Sequence, residues 1–113
     1  MKTSSFPIQE MLLDAAVATI QLLKPVGGAL RTAADQGIRA ASSAYTQGVE
    51  AFGRQGRDRA HRLRTCYAEC GEAAGVLRLF DRLGEVDSDA AVKAMASWDS
   101  ARAMLWRQQH PKR

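Results

Sequence analysis

The chain has few of the residues that build metal centres or catalytic sites. Its 113 residues include two cysteines, Cys66 and Cys70, and two histidines, His61 and His110. No second Cys or His pair is present to complete a zinc site. Neither histidine has a glutamate three residues before it, as a di-iron bundle requires, and the Cys-x-x-Cys-His motif of haem attachment is absent. We therefore predict no catalytic residue, no metal ligand and no cofactor, and we interpret the cysteines as small core residues.

Strand and phosphate-loop patterns are also missing. β-branched residues are sparse and no alternating apolar–polar run occurs. The sequence GRQGR at positions 53–57 lacks the Gly-Lys-Ser/Thr ending of a Walker motif. Nothing in the sequence therefore competes with a helical fold or indicates a nucleotide-binding loop.

Long apolar runs are absent too. The apolar stretch from Met11 to Leu23 is interrupted by Asp14, Thr19 and Gln21, and it is too short to span a membrane. Glu10 and Asp14 also disrupt the apolar core that a signal peptide needs. We therefore expect a cytoplasmic protein without a membrane partner.

Helical periodicity dominates the rest of the chain. It predicts a single all-α domain over 1–113, an antiparallel up-down four-helix bundle with helices at 7–24, 30–52, 57–83 and 89–108. The residues expected to cap or end these helices are Ser4 or Ser5, Pro25 with Gly27 and Gly28, Gly84, and Asp87 or Ser88.

Each later helix has an apolar stripe that is predicted to face the core. In the second helix the stripe is Leu30, Ala34, Ile38, Ala41, Tyr45, Gly48 and Phe52. In the third it is Leu63, Cys66, Cys70, Ala73, Leu77 and Phe80, and in the fourth Ala91, Ala94, Met95, Trp98, Ala101, Leu105 and Trp106. Arg102 falls inside the last stripe. It is predicted to stack on Trp98 or Trp106 or to pair with a carboxylate, unless it extends to solvent at the bundle edge.

A cluster of basic residues lies between the second and third helices. The segment from Gly53 to Arg64 contains Arg54, Arg57, Arg59, His61, Arg62 and Arg64, in a chain of net charge +4. Cations gain nothing from the dipole at a helix start, so this placement indicates an anionic partner such as nucleic-acid phosphate. A solvated helix start is the alternative. Internal pairing of the arginines with Glu50, Glu69 or Glu72, and especially of Asp58 with Arg62, would remove arginines from phosphate binding. The nearest aromatic in the sequence is Phe52, which favours contact with the phosphate backbone over base recognition.

Small residues continue along the outer face of the third helix beyond this cluster. Ala68, Gly71 and Gly75 share a strip with Arg57, His61 and Arg64. Because a glycine within a helix costs about 1 kcal/mol relative to alanine, we expect another helix to approach this strip, within the fold or across a subunit interface. Simple tolerance in a long helix is the alternative.

Four segments resemble a known family. They are ADQGIRAASSA at 34–44, QGVEAFGRQGRDRAHRLR at 47–64, Glu72, and AMLWR at 103–107. These resemble the bacterial four helix bundle protein family, also called the ribosomal-RNA intervening-sequence protein family. They are distantly similar to the accessory variability determinants of diversity-generating retroelements. The resemblance implies an antiparallel bundle that forms a homopentamer, has no enzyme activity, and acts as a basic partner of a reverse transcriptase and its RNA. Gln47 and Ala51 depart from the Asn and Gly that the family usually has.

Three hypotheses for function follow. The first is a non-enzymatic homo-oligomer that binds RNA, other nucleic acid or a ribonucleoprotein through the arginine cluster, with Ala68, Gly71 and Gly75 at the oligomer interface. The second is a protein–protein interaction scaffold without nucleic-acid binding. The third is a bundle that binds a small molecule or a metal through Cys66, Cys70 or His61.

Overall fold

Helices account for almost all of the chain that can be described. The computed structural model describes residues 6–111, and this range forms four α-helices and no strand. The helices are α1 (Phe6–Leu23), α2 (Arg31–Phe52), α3 (Gly56–Leu83) and α4 (Ser88–Gln109), with a 3-10 turn over Gly28–Leu30 before α2. The predicted all-α four-helix bundle is confirmed, and the predicted helix ends differ from the observed ends by at most one residue. Within the same range, no helix has both the length and the apolar character to cross a bilayer.

The helix ends follow local sequence features. Helix α1 ends two residues before Pro25, which cannot continue it. Helix α3 ends at Gly84, whose φ of +72° lies in the left-handed region that favours glycine. Asp87, and not Ser88, caps α4, because its carboxylate accepts a hydrogen bond of 2.9 Å from the Ala90 N–H. The predicted caps Ser4 and Ser5 lie outside the described residues.

The contacts between helices show which helix ends lie together. Helix α1 packs on α2 and α4, and α3 packs on the same two helices. Leu12 faces Gly48 and Leu23 faces Gly37, so contacts run in opposite order along α1 and α2, as they do between antiparallel neighbours. The first turn of α3 likewise lies beside the last turn of α4. The α2–α3 turn and the end of α4 therefore share one end of the bundle.

The core-facing side of α2 consists of its smallest residues. Its buried residues are Ala34, Gly37, Ala40, Ala41, Ala44, Gly48 and Ala51. Of the predicted stripe, Ala34, Ala41 and Gly48 are buried, whereas Leu30, Ile38, Tyr45 and Phe52 are half-buried and pack against the edges of the core. The reason is close packing: a Cβ atom added at Gly37 would lie 2.6 Å from Leu23 Cδ1 and 2.8 Å from Val76 Cγ1. No large side chain fits where helices approach this closely.

The stripes of α3 and α4 follow the predictions more closely. All six predicted residues of α3 are buried, including the free thiols Cys66 and Cys70. In α4 the predicted stripe is buried except for Met95, which is half-buried, and Trp106, which is 49% exposed. The prediction for Trp106 was wrong because this residue lies in the groove between α3 and α4, at the edge of the core.

Candidate nucleic-acid interface

The α2–α3 turn places the arginine cluster at one end of the bundle. Helix α2 ends at Phe52, and α3 begins at Gly56, which has a φ of +60°. The reversal is therefore completed in three residues, 53–55. Because α3 starts so soon, most of the cluster lies on its first turns, where the helix dipole already carries partial positive charge.

Two of the predicted phosphate ligands are occupied by carboxylates of the same chain. Arg54 donates to Glu50 at 2.8 Å and to Asp58 at 3.0 Å, and these hydrogen bonds raise the pKa of the Arg54 guanidinium. Arg62 pairs with Asp58 at 3.4 Å, as predicted, and donates to the side-chain oxygen of Gln47 at 3.2 Å. Arg54 and Arg62 therefore hold the α2–α3 turn in place, and their charge is largely offset.

Arg59 also has a structural contact. Its guanidinium carbon lies 5.1 Å from the centre of the Phe52 ring, and its Nε donates to the Ala51 carbonyl at 3.3 Å. The Ala51 carbonyl already accepts from the Arg54 N–H at 3.1 Å, so Arg59 adds a second hydrogen bond to this acceptor at the end of α2. Phe52, which the sequence indicated as the nearest aromatic, is covered by this arginine.

The remaining three basic residues form an unpaired row, which we call the basic row: Arg57, His61 and Arg64. They are spaced i, i+4 and i+7 along α3, so they lie on one face of the helix. All three are exposed. None of their side chains has a hydrogen bond or an ion pair within residues 6–111. The basic row is therefore the part of the cluster that is free to bind an anion.

The predicted interface residues continue from the basic row. Gly71 is accounted for within the fold, because a Cβ atom there would lie 3.5 Å from the guanidinium of Arg102. Ala68 and Gly75 are exposed, and a Cβ atom added at Gly75 would meet nothing within 4 Å. The fold thus explains the small residue at Gly71, whereas the surface at Ala68 and Gly75 remains open.

Arg102 takes a partner that the sequence did not predict. Its guanidinium carbon lies 4.4 Å from the centre of the Tyr67 ring of α3. Stacking on Trp98 or Trp106 was therefore the wrong prediction, because the side chain crosses to the neighbouring helix. Pairing with a carboxylate was also wrong for the described chain: Arg102 has no ion pair there, and its buried Nε has no hydrogen-bond partner.

Sequence reasoning missed the contribution of α4 to this end of the bundle. The rings of Trp106 and His110 stack with centroids 3.8 Å apart and an angle of 17° between their planes. His110 and Gln109 line a groove with Arg59 and Arg64 of α3. The scarcity of aromatics near the cluster was inferred from distance along the chain, and antiparallel packing of α3 and α4 makes that inference wrong. The sequence pattern Trp106–Arg107–His110 on α4 was the available indication of aromatic residues near the cluster. It could be used only once the packing of α4 beside the start of α3 was known.

Both cysteines are free thiols buried in the core. Cys66 donates its thiol hydrogen to the Ala44 carbonyl at 3.1 Å, deep in the core. Hydrogen bonding with Cys66 and burial raise the pKa of the Cys70 thiol, which keeps it protonated and unreactive. In the part of the chain that the structure describes, no group of three or more His, Cys, Asp or Glu residues is arranged to hold a metal ion.

Comparison with known proteins adds no assignment to this geometry. No protein-family model matches the chain, and a search of curated proteins also gives no match. The chemistry of the site must therefore be argued from its residues. Those residues offer unpaired cations and exposed rings, which suit non-covalent binding of an anion.

Proposed function

We propose that the protein is a non-enzymatic, homo-oligomeric four-helix bundle that binds RNA or a ribonucleoprotein through the basic row. One observation carries this proposal. Arg57, His61 and Arg64 are exposed, lie on one face of α3, and have no acidic partner within residues 6–111, although Glu50 and Asp58 neutralise other arginines nearby.

Phosphate is the ligand that best suits such a row. Arginine binds phosphate oxygens through paired N–H groups, and successive phosphates of a nucleic-acid backbone would meet successive cations along the helix. Asp58 lies on the same turn as Arg57 but is engaged by Arg54 and Arg62. Glu69 and Glu72 border a depression together with His61 and Arg64, but Arg39 engages both carboxylates. The two arginines of the row therefore have no ion-pair partner within residues 6–111 and are available to an external anion.

Assembly would strengthen a surface that is weak in one chain. Two arginines and a histidine make few phosphate contacts, but a ring repeats them in every subunit, and multivalent binding then raises affinity without new contacts. The open surface at Ala68 and Gly75 supports assembly through α3. The family resemblance supports a homopentamer that acts in the cytoplasm as an accessory partner of a reverse transcriptase from a diversity-generating retroelement.

The proposal is tested by salt-dependent binding of the purified protein to a labelled RNA hairpin. The double variant Arg57→Gln/Arg64→Gln should bind more weakly, and the slope of log K against log salt should become shallower by about one to two for each subunit that contacts the RNA. Its helical circular dichroism should not change, because neither side chain makes an internal contact.

The matched control is Arg78→Gln/Arg82→Gln. These two arginines are exposed on α3 towards its other end and lack ion pairs in the described chain. Their substitution removes the same charge as the double variant in the basic row. The control should bind like the wild type. Equal weakening of both variants would show that total charge matters and position does not, and unchanged binding of the first variant would exclude the basic row.

A protein-interaction scaffold is the second candidate, and one observation favours it. Leu79 and Leu83, on the last turns of α3, are 49% and 50% exposed, and Leu79 follows Gly75 by one turn. Exposed leucines beside an open glycine suit a protein partner. If this function holds, the wild type binds RNA negligibly. The double variant Arg57→Gln/Arg64→Gln then changes the sedimentation of a protein complex instead.

A further inference from the structure

The groove between α3 and α4 contains a cation without an acceptor. Arg102 lies over Tyr67 and against Gly71, which partly removes its guanidinium from water. Its Nε is buried and has no hydrogen-bond partner, and no carboxylate of residues 6–111 pairs with it. Contact with an aromatic ring offsets part of the cost of desolvating a cation, but the N–H groups still lack an acceptor. The buried Nε is out of reach of an external group, but the Nη groups are not buried in this way and have no partner within residues 6–111, so they can donate to an external oxyanion.

Aromatic rings line the same groove. Tyr67, Arg102 and Trp106 border one section of it, together with one carboxylate, Asp99, and a second arginine, Arg107. Half of the Trp106 residue is exposed although its ring stacks on His110. A half-exposed tryptophan outside the core offers a flat apolar surface to a ligand.

A second depression between α3 and α4 lies towards the basic row, and the stacked rings of Trp106 and His110 join the two. The section towards the end of the bundle is bordered by Arg64 on α3 and by His110 on α4. Because His110 stacks on Trp106, and Trp106 borders the section that contains Arg102, the order along the groove is Arg64, His110, Trp106, Arg102. Two cations thus flank a pair of stacked rings.

We propose that the α3–α4 groove binds single-stranded RNA, with a base stacked at the Trp106–His110 pair and phosphates at Arg64 and Arg102. This inference rests on the proposed function and specifies its substrate as unpaired nucleotides. Cations that follow the backbone, together with rings on which bases stack, are the two parts of a single-strand binding groove. In a duplex the faces of the bases are covered by neighbouring base pairs and cannot stack on Trp106. An unpaired base is free to stack on this ring.

The test uses the intact protein and a twelve-nucleotide oligouridylate, with intrinsic fluorescence as the readout. Trp98 is fully buried, so quenching by the oligonucleotide reports on Trp106. We expect quenching on titration, and we expect Trp106→Leu to weaken binding about fivefold to a hundredfold, the range for loss of one base–aromatic stack. Arg102→Gln should weaken binding and reduce its salt dependence, whereas Arg78→Gln, which removes the same charge elsewhere, should change neither.

The outcomes separate this inference from the proposed function. If Trp106→Leu and Arg102→Gln bind the oligonucleotide like the wild type while Arg57→Gln weakens hairpin binding, the groove assignment is overturned and the basic row stands. If the wild type binds neither RNA at low salt, both fail. Binding of polyglutamate that depends on Arg102 and excludes the oligonucleotide would also overturn the inference, since the groove would then bind an acidic protein segment.

Discussion

At the scale of single residues, the most consequential contact in the core is polar. Trp98 Nε1 donates to Thr19 Oγ1 at 2.8 Å, and Thr19 Oγ1 donates to the Ala15 carbonyl at 2.7 Å. Both side chains are fully buried. The Thr19 hydroxyl therefore allows Trp98, the largest fully buried side chain of the described residues, to bury its indole N–H with a hydrogen-bond acceptor.

Replacing Thr19 by valine should destabilise the bundle. The substitution Thr19→Val keeps the shape of the side chain but leaves the Trp98 N–H buried without an acceptor, which costs about 1–3 kcal/mol. Urea denaturation followed by circular dichroism measures the change. Thr46→Val is the matched control, because the Thr46 hydroxyl also bonds the carbonyl four residues before it but is exposed. We expect that variant to stay within about 0.5 kcal/mol of the wild type. Equal losses in both variants would contradict the role of the buried pair.

At the scale of helices, the packing of α2 is limited by two glycines. A Cβ atom at Gly37 would lie 2.6 Å from Leu23, and one at Gly48 would lie 2.5 Å from Leu12. Both distances are shorter than side-chain contacts normally allow, and both partners are fully buried leucines. The distance from α2 to α1 is thus set by the absence of a side chain at these positions.

Gly37→Ala should therefore destabilise the protein, although alanine favours a helix. Overpacking of this kind costs about 1–3 kcal/mol, which outweighs the gain of about 1 kcal/mol in helix propensity. Gly53→Ala is the control, because a Cβ atom there would make only ordinary contacts of 3.6 Å or more and its φ is −94°. Thermal unfolding should show a lower midpoint for Gly37→Ala alone. A higher midpoint for Gly37→Ala would mean that α1 and α2 separate without cost.

The same helices show what the sequence can and cannot predict. Helix ends were predictable because Pro25, Gly84 and Asp87 act on the backbone next to them. The α3 stripe was predictable because its large apolar residues face the core. The α2 stripe was predicted less well, since periodicity favours large residues such as Ile38 and Tyr45. Whether large or small residues face the core depends on how closely two helices approach, which is a property of the pair.

At the scale of the whole molecule, the candidate site also combines features that the sequence predicts with features that depend on helix packing. The arginine cluster was visible in the sequence, as was pairing of Asp58 with Arg62, because four-residue spacing places those side chains together. Pairing of Glu50 with an arginine of the cluster was also expected, and the structure places both Glu50 and Asp58, each four residues away, on Arg54. Contact of Arg102 with Tyr67 was beyond sequence reasoning, because it joins residues that only the packing of α3 on α4 brings together. The surface of the described chain thus leaves uncovered the basic row and the Ala68–Gly75 strip, together with apolar side chains such as Leu79, Leu83 and Trp106.

The Ala68–Gly75 strip leads to a prediction about assembly. If a second copy packs on it, as we propose, the native mass is a multiple of 12.3 kDa, and five times that value for a pentamer. Gly75→Glu would place a charged side chain in the interface and should dissociate the assembly while leaving the helical signal intact, since a Cβ atom at Gly75 meets nothing within its own chain. Val92→Glu, at a 53% exposed position on α4, should leave the mass unchanged. Sedimentation velocity of the wild type and the two variants measures these masses.

A wild type that sediments as one chain, or an assembly that tolerates Gly75→Glu, would show that the strip does not hold subunits together. In that case Gly75→Ala should simply stabilise the monomer by up to about 1 kcal/mol, because alanine is the better helix former.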